Sequence, residues 1–224
     1  MRFKDVFSII GPVMVGPSSS HTAGAARLGR LARQLLRDQP KRVLITLYGS
    51  FAETYKGHGT DLALMGGLLD FTTDDARLPD ACQEAERAGM TVTFREGAGV
   101  CPHPNFVKLE MWSEGSVASL AGASIGGGNV EIHMMNGFDA SCSGLYPTLV
   151  ITHEDRIGVL ASLTKALSDA ELNIGFMNVD RKSRNGEAMT VLEIDRRPKA
   201  SLVEELRQLP NITDIRLLDL TSRS

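Results

Sequence analysis

From Tyr146 to Leu220 the chain follows one order of elements that few folds accept. A strand around Leu149-Val150-Ile151 runs into the turn Asp155-Arg156-Ile157-Gly158. Leu160, Leu163, Leu167 and Ala170 follow at helical spacing and form one apolar stripe. Asn173 to Arg181 reads as the next strand, with Ile174, Phe176 and Val179 as its apolar members. Ser183-Arg184-Asn185-Gly186 is a hairpin turn, because Asn-Gly readily adopts positive φ. Ala188 to Ile194 returns as a strand, and Pro198 opens a second helix carrying Leu202, Val203, Leu206 and Leu209. Asn211 ends that helix, and Ile212 to Leu220 is the last strand. The order β-α-β-β-α-β is the split βαβ pattern of ferredoxin-like domains.

The preceding residues have a different texture. The stretch Asn136-Gly137-Phe138-Asp139-Ala140-Ser141-Cys142-Ser143-Gly144 reads as a linker, with the join near residue 145. Residues 1–145 then form a mixed α/β domain and residues 146–224 a second one, so the fold class is α+β. In the first domain Ala23 to Arg37 reads as a helix, with Leu28, Leu31, Ala32 and Leu35 on one side. Arg27, Arg30, Arg33 and Arg37 gather on the other, and the reading is a solvated face rather than a seat for an acidic partner. Val43–Tyr48, Thr91–Arg95, Phe106–Trp112, Ser116–Ala121 and Val130–Met134 read as strands, and Leu62–Leu69 and Ala81–Ala88 as helices.

Composition removes several classes. The 24 basic and 27 acidic side chains give a net charge of −3, which argues against a nucleic-acid binder. No uninterrupted apolar run approaches a membrane span. The start Met1-Arg2-Phe3-Lys4-Asp5-Val6-Phe7 lacks the apolar core of a signal peptide. Cys82, Cys101 and Cys142 are odd in number and form no CxxC pair, so the expectation is a cytoplasmic protein without a disulfide framework.

Four short runs carry chemistry. Gly16-Pro17-Ser18-Ser19-Ser20-His21-Thr22 directly precedes a helix. One hydroxyl there is ordinarily a cap. Three serines, a histidine and a threonine together also suit an anion at a helix N-terminus beside a group that titrates near neutrality. Gly57-His58-Gly59-Thr60-Asp61 is either a tight turn with an outward histidine or part of a site. Cys101-Pro102-His103-Pro104-Asn105 is a stiff loop that fixes where His103 and Asn105 point. Ser124-Ile125-Gly126-Gly127-Gly128-Asn129 reads as a hairpin-like connection that permits close approach of backbone to a ligand, and no Gly-Lys-Ser/Thr makes it a phosphate loop. His21, His58 and His103 show no i, i+4 zinc spacing, and no G-x-S-x-G elbow supports a serine hydrolase.

Taken in order, these four runs resemble the β chain of bacterial iron–sulfur L-serine dehydratases over residues 3–135. Residues 146–224 resemble an ACT domain, a small-molecule sensor attached to amino-acid enzymes. The resemblance implies conversion of L-serine to pyruvate and ammonia, in amino-acid catabolism and gluconeogenesis. It implies a 4Fe–4S cluster with one open iron, its cysteine ligands on a separate α subunit and no metal ligand on this chain. It makes His21 the first candidate for acid–base work, Thr22 an alternative proton carrier, and His58 the third catalytic residue. Ser18, Ser19, Ser20, Thr60, Asp61, His103 and Asn105 would bind substrate, with Asp61 on the ammonium. Asp155, Arg156 and Gly158 would form the effector loop, in which Ile157 replaces the proline of many ACT domains. Serine is one effector it suggests, assembly is the other role, and two β chains would pair through this domain. The other reading is a non-catalytic amino-acid-binding regulator, since the first domain also resembles a regulatory domain of some 3-phosphoglycerate dehydrogenases.

Overall fold

The computed structural model describes residues 13–221, and the leader reading of Met1–Phe7 lies outside them. Its two compact units divide between Asn136 and Gly137.

In the first unit one wide turn of π-helix, Ser19–Ala23, runs directly into α1 (Gly24–Leu36). Leu28, Leu31, Ala32 and Leu35 are buried, as the apolar stripe requires, and each large one contributes about 1.5–3 kcal/mol. Next come β1 (Arg42–Leu47), α2 (Ser50–Thr54), α3 (Thr60–Leu68), α4 (Ala81–Arg87) and β2 (Thr91–Glu96). The antiparallel strands β3 (Phe106–Trp112), β4 (Val117–Gly126) and β5 (Asn129–Met135) complete the unit. The strand order is β2-β1-β3-β4-β5, with β1 and β2 parallel. Helix α1 lies on β4 and against α3. The two helices cross at a glycine seam: a Cβ on Gly67 would overlap the Ala26 carbonyl and meet the Gly29 Cα at 2.8 Å. The N-terminal ends of the two helices each carry one of the histidine loops, whose His21 and His58 rings stand 5.0 Å apart.

The second unit begins with β6 (Phe138–Cys142), in the stretch read as a linker. Phe138, Ala140 and Cys142 are buried and Asp139 is exposed, a strand alternation that small and polar residues disguise. Then follow β7 (Thr148–Glu154), α5 (Val159–Asp169), β8 (Ile174–Arg181), β9 (Glu187–Ile194), α6 (Ala200–Arg207) and β10 (Ile212–Leu218). The strands run β10-β7-β9-β8 and all pairs are antiparallel. This is the anticipated βαββαβ domain, and the α+β class holds for the chain. Leu149, Ile151, Leu163, Leu167, Leu192, Leu206 and their neighbours make its core.

One expectation is corrected. The arginine face of α1 is solvated only in part: Arg37 is exposed, but Arg30 is 7% exposed and its Nε donates to Asp70 Oδ1 at 2.9 Å. Arg27 reaches the Gly128 carbonyl at 3.0 Å. The face is turned toward the α3–α4 turn and the β4–β5 connection, both of which offer acceptors. Phe176 and Val179 lie on their expected strand and are exposed together with Met177 on β8, the last strand of the sheet.

Candidate active site

The site is built from the loop ahead of α1, the start of α2 and the turn before α3. Ser18 is extended, and its Oγ accepts the His21 N–H at 3.1 Å, capping the wide turn. The Gly24 N–H reaches back five residues to the Ser19 carbonyl, the mark of a π turn, a geometry frequent at functional sites. The turn presents His21 Nδ1 to Ser20 Oγ at 3.1 Å and to Ser18 Oγ at 3.4 Å. Its Nε2 lies 3.3 Å from Ser50 Oγ. The edge of Phe51 packs on the ring at 5.4 Å between centroids, and the exposed His58 ring stands 5.0 Å away. Burial first, and His58 second, hold the His21 imidazole below its ordinary value, so near pH 7 it is a neutral base.

His58 is placed by backbone: its N–H donates to the Thr54 carbonyl at 3.1 Å, and the Thr60 N–H donates to Tyr55 at 2.9 Å. Thr60 starts α3 and is fully buried, and its Oγ1 has no partner among the described residues. Thr22 is likewise turned inward with an unpartnered Oγ1, and Gly16 sits against it. Asp61 Oδ1 accepts the Leu62 N–H at 2.9 Å, while burial raises its carboxyl above the usual carboxylate range. A cavity of about 140 Å³ opens between Val15, Pro17, Thr22, His58, Leu62 and Leu78.

The His103 loop joins through backbone. His103 Nδ1 accepts the Asn105 N–H at 3.1 Å, which leaves the proton of the neutral ring on Nε2. Pro104 packs on Gly49 so closely that a Cβ there would stand 2.6 Å from its carbonyl oxygen, and Gly49 takes φ 53° to allow it. The Phe51 N–H donates to that same carbonyl at 3.4 Å. Asn105 Nδ2 meets the Ser124 carbonyl at 3.5 Å, and the Asn105 Oδ1 and Ser124 Oγ have no partner among the described residues.

The structure thus gathers Ser18, Ser20, His21 and His58, with Ser19, Thr22, Thr60 and Asp61 on the same two turns. It links His103 and Asn105 to them through Pro104, Gly49 and Phe51. Two residues escaped the sequence reading, Ser50 and Phe51, whose only local signal is a Gly-Ser step after a strand. The effector-loop residues belong to the second unit. Asp155 Oδ2 accepts from Asn185 N at 3.2 Å and Arg181 Nη1 at 3.0 Å, and these bonds hold its carboxylate below the usual range. Arg156 pairs with Glu154 at the surface, and Gly158 takes φ 92° just ahead of α5.

The donor set does not fit an iron–sulfur cluster. Cys82 is exposed, Cys101 is half-buried, and burial first and Glu193 second push the buried Cys142 thiol up to about 12. Among the described residues no three His, Cys, Asp or Glu side chains converge as metal ligands. No helix among them is long and apolar enough to cross a membrane.

Residues 3–134 match the family of serine dehydratase beta chains. Residues 148–211 match the ACT domain family. A Bacillus subtilis protein named probable L-serine dehydratase, beta chain, is 46% identical over 96% of this chain and 98% of its own length. The L-serine dehydratase beta chain of Peptoniphilus asaccharolyticus is 34% identical over 98% of this chain and all of its own length. D-3-phosphoglycerate dehydrogenase of Bacillus subtilis is 26% identical over 88% of this chain but only 37% of that enzyme. Near-complete coverage of two beta chains and the family match across the histidine loops lead to one assignment: the chain belongs to the serine dehydratase beta chain family, with an ACT domain at residues 148–211.

Proposed function

We propose that this chain is the β subunit of a two-chain L-serine dehydratase that forms pyruvate and ammonia. The observation that carries the reading is the neutral, half-buried His21 set among hydroxyls and beside His58. The hydroxyls of Ser18, Ser19 and Ser20, at a helix start, hold the substrate carboxylate. His21 accepts the α-proton, with His58 beside it to receive or return that proton. Thr22 is the alternative carrier, although its hydroxyl faces inward. The Asp61 carboxylate takes the substrate ammonium, which would stabilise its charged form against burial. Thr60, His103 and Asn105 close the pocket. A 4Fe–4S cluster, held by the cysteines of a partner α subunit, would supply Lewis acidity at the β-hydroxyl when bound.

In the second unit, Asp155, Arg156 and Gly158 form the effector loop, with serine as first ligand to test. The free edge β8, bearing Phe176, Met177 and Val179, is the surface through which two β chains pair. The chain acts in the cytoplasm, in serine catabolism. The likeness to a D-3-phosphoglycerate dehydrogenase favours the second reading, a regulator without catalysis. Anaerobic co-expression with the α subunit separates the two. A brown complex that releases pyruvate from L-serine is expected. A colourless chain that binds serine and forms no such complex would establish the regulator.

A further inference from the structure

We propose that Ser50 is the positioning residue that holds the His21 imidazole in one orientation and one tautomer, a role that rests on the dehydratase reading above. Ser50 lies 29 residues from His21 in sequence, yet its Oγ is 3.3 Å from His21 Nε2. A serine at a helix start ordinarily spends its hydroxyl on the helix's own N–H groups. Here Gly49 is the cap residue and no side chain caps α2, so the Ser50 hydroxyl is not committed there. The Gly49–Pro104 contact and the Phe51 N–H bond to Pro104 fix the first turn of α2, and with it the direction of Ser50. Phe51, the next residue, packs its edge on the same imidazole.

A neutral imidazole has one donor and one acceptor nitrogen, and each hydroxyl beside it can play either part. On the Nδ1 side, Ser18 Oγ takes the His21 backbone N–H and stands 3.3 Å from Ser20 Oγ, so that side is ordered from the backbone. Ser50 answers it on the Nε2 side. With Ser50 removed, the ring is anchored at one nitrogen only, and both tautomers and neighbouring rotamers become accessible. This also explains how the His103 loop acts without touching His21: it sets α2, and α2 sets Ser50.

The test uses the full chain, with ¹⁵N-labelled histidine and two variants, Ser50→Ala and Ser50→Thr. The wild-type His21 nitrogens are expected to show the well-separated shifts of one tautomer, Ser50→Ala shifts that converge, and Ser50→Thr the wild-type pattern. In the assembled enzyme, Ser50→Ala is expected to lower kcat about tenfold, the worth of one hydrogen bond, with KM within about twofold. Ser50→Thr should restore most of kcat and also guards against a mere folding defect. Unchanged tautomer shifts in Ser50→Ala, or changed shifts with an unchanged kcat, would overturn the proposal. If the shifts respond while the wild-type assembly makes no pyruvate, the dehydratase reading falls and the placement of His21 by Ser50 stands.

Discussion

The two units bury polar side chains in opposite ways. In the second, interior polar groups answer one another. His153 Nδ1 donates to the Glu154 carbonyl and Nε2 meets Thr190 Oγ1, each at 2.8 Å. Glu193 accepts from the Ser143 N–H at 2.6 Å and its hydroxyl at 2.7 Å. Asp219 takes Arg197 at 3.1 Å and both the N–H and hydroxyl of Thr221. Among the described residues of the first unit Thr22, Arg33, Thr60, Ser124 and Asn105 each bury a polar atom without a partner, and all but Arg33 lie in the motif runs. Among the described residues the second unit has one such atom, Asn178 Oδ1 on β8. An unanswered buried polar group costs about 1–3 kcal/mol, and a native fold carries few of them. Four of those five in the motif runs mark a region arranged for something other than its own stability, whereas the polar interior of the second unit serves its fold.

The largest expected effect separates the two directly. His21→Ala should lower kcat of the assembled enzyme by roughly 10²–10⁴, the range of lost acid–base catalysis. Urea unfolding of the same chain should move little, because the partners left behind are hydroxyls within reach of solvent. Turnover within a few-fold of wild type would remove His21 from the proton transfer. The mirror case is Thr190→Val. That hydroxyl is fully buried and bonded to His153, so its loss strands the imidazole nitrogen and should cost about 1–3 kcal/mol in urea unfolding. Turnover per folded chain should stay at the wild-type level. A stable Thr190→Val chain with impaired turnover would erase the contrast between the units.

How much of this was legible in sequence follows the same division. The second unit could be traced almost element by element, since apolar periodicity and an Asn-Gly turn are local signals. The histidine loops were legible because glycine, proline and serine crowd around His21, His58 and His103 in ways that ordinary turns do not need. Ser50 was not, because its role depends on a contact 29 residues away, and a Gly-Ser step is common. β6 was missed because Ala140 and Cys142 are small and Asp139 and Ser141 are polar, so its period-two burial has little hydrophobic contrast. Arg30 on α1 departs from a solvated face for a tertiary reason: Asp70, just past α3, comes back to pair with it. Phe176 and Val179 were read correctly as strand residues, but sequence cannot say that their strand would be an edge.

A smaller effect probes why His21 is neutral. Burial leads and His58 adds to it, so His58→Gln should raise the His21 value, and only partway to that of a free histidine. The sign follows from charge: a neighbouring imidazolium disfavours protonation of His21, and glutamine does not. NMR titration of the full chain should show the His21 midpoint at higher pH in the variant. In the assembled enzyme the acid limb of kcat/KM should shift the same way, since protonation then removes the base sooner as pH falls. A midpoint that stays put or moves down would show that the two rings are not electrostatically coupled.

The smallest expected effect is the sharpest test of the comparison. Thr60 and Thr190 are both threonines with 0% exposure, one without a partner and one bonded to His153. Valine matches threonine in shape and removes only the hydroxyl. At Thr190 that breaks a bond, but at Thr60 it removes a group that is already unanswered. Thr60→Val should therefore change stability by no more than about 0.5 kcal/mol, with either a neutral or a stabilising sign. If the hydroxyl exists for the ligand, the same change should raise KM for L-serine severalfold, because a bound polar group then loses its counterpart. A stability loss comparable to that of Thr190→Val would mean that Thr60 already has a partner in the free chain, and the first unit would then differ from the second in sequence but not in how it treats its buried polar groups.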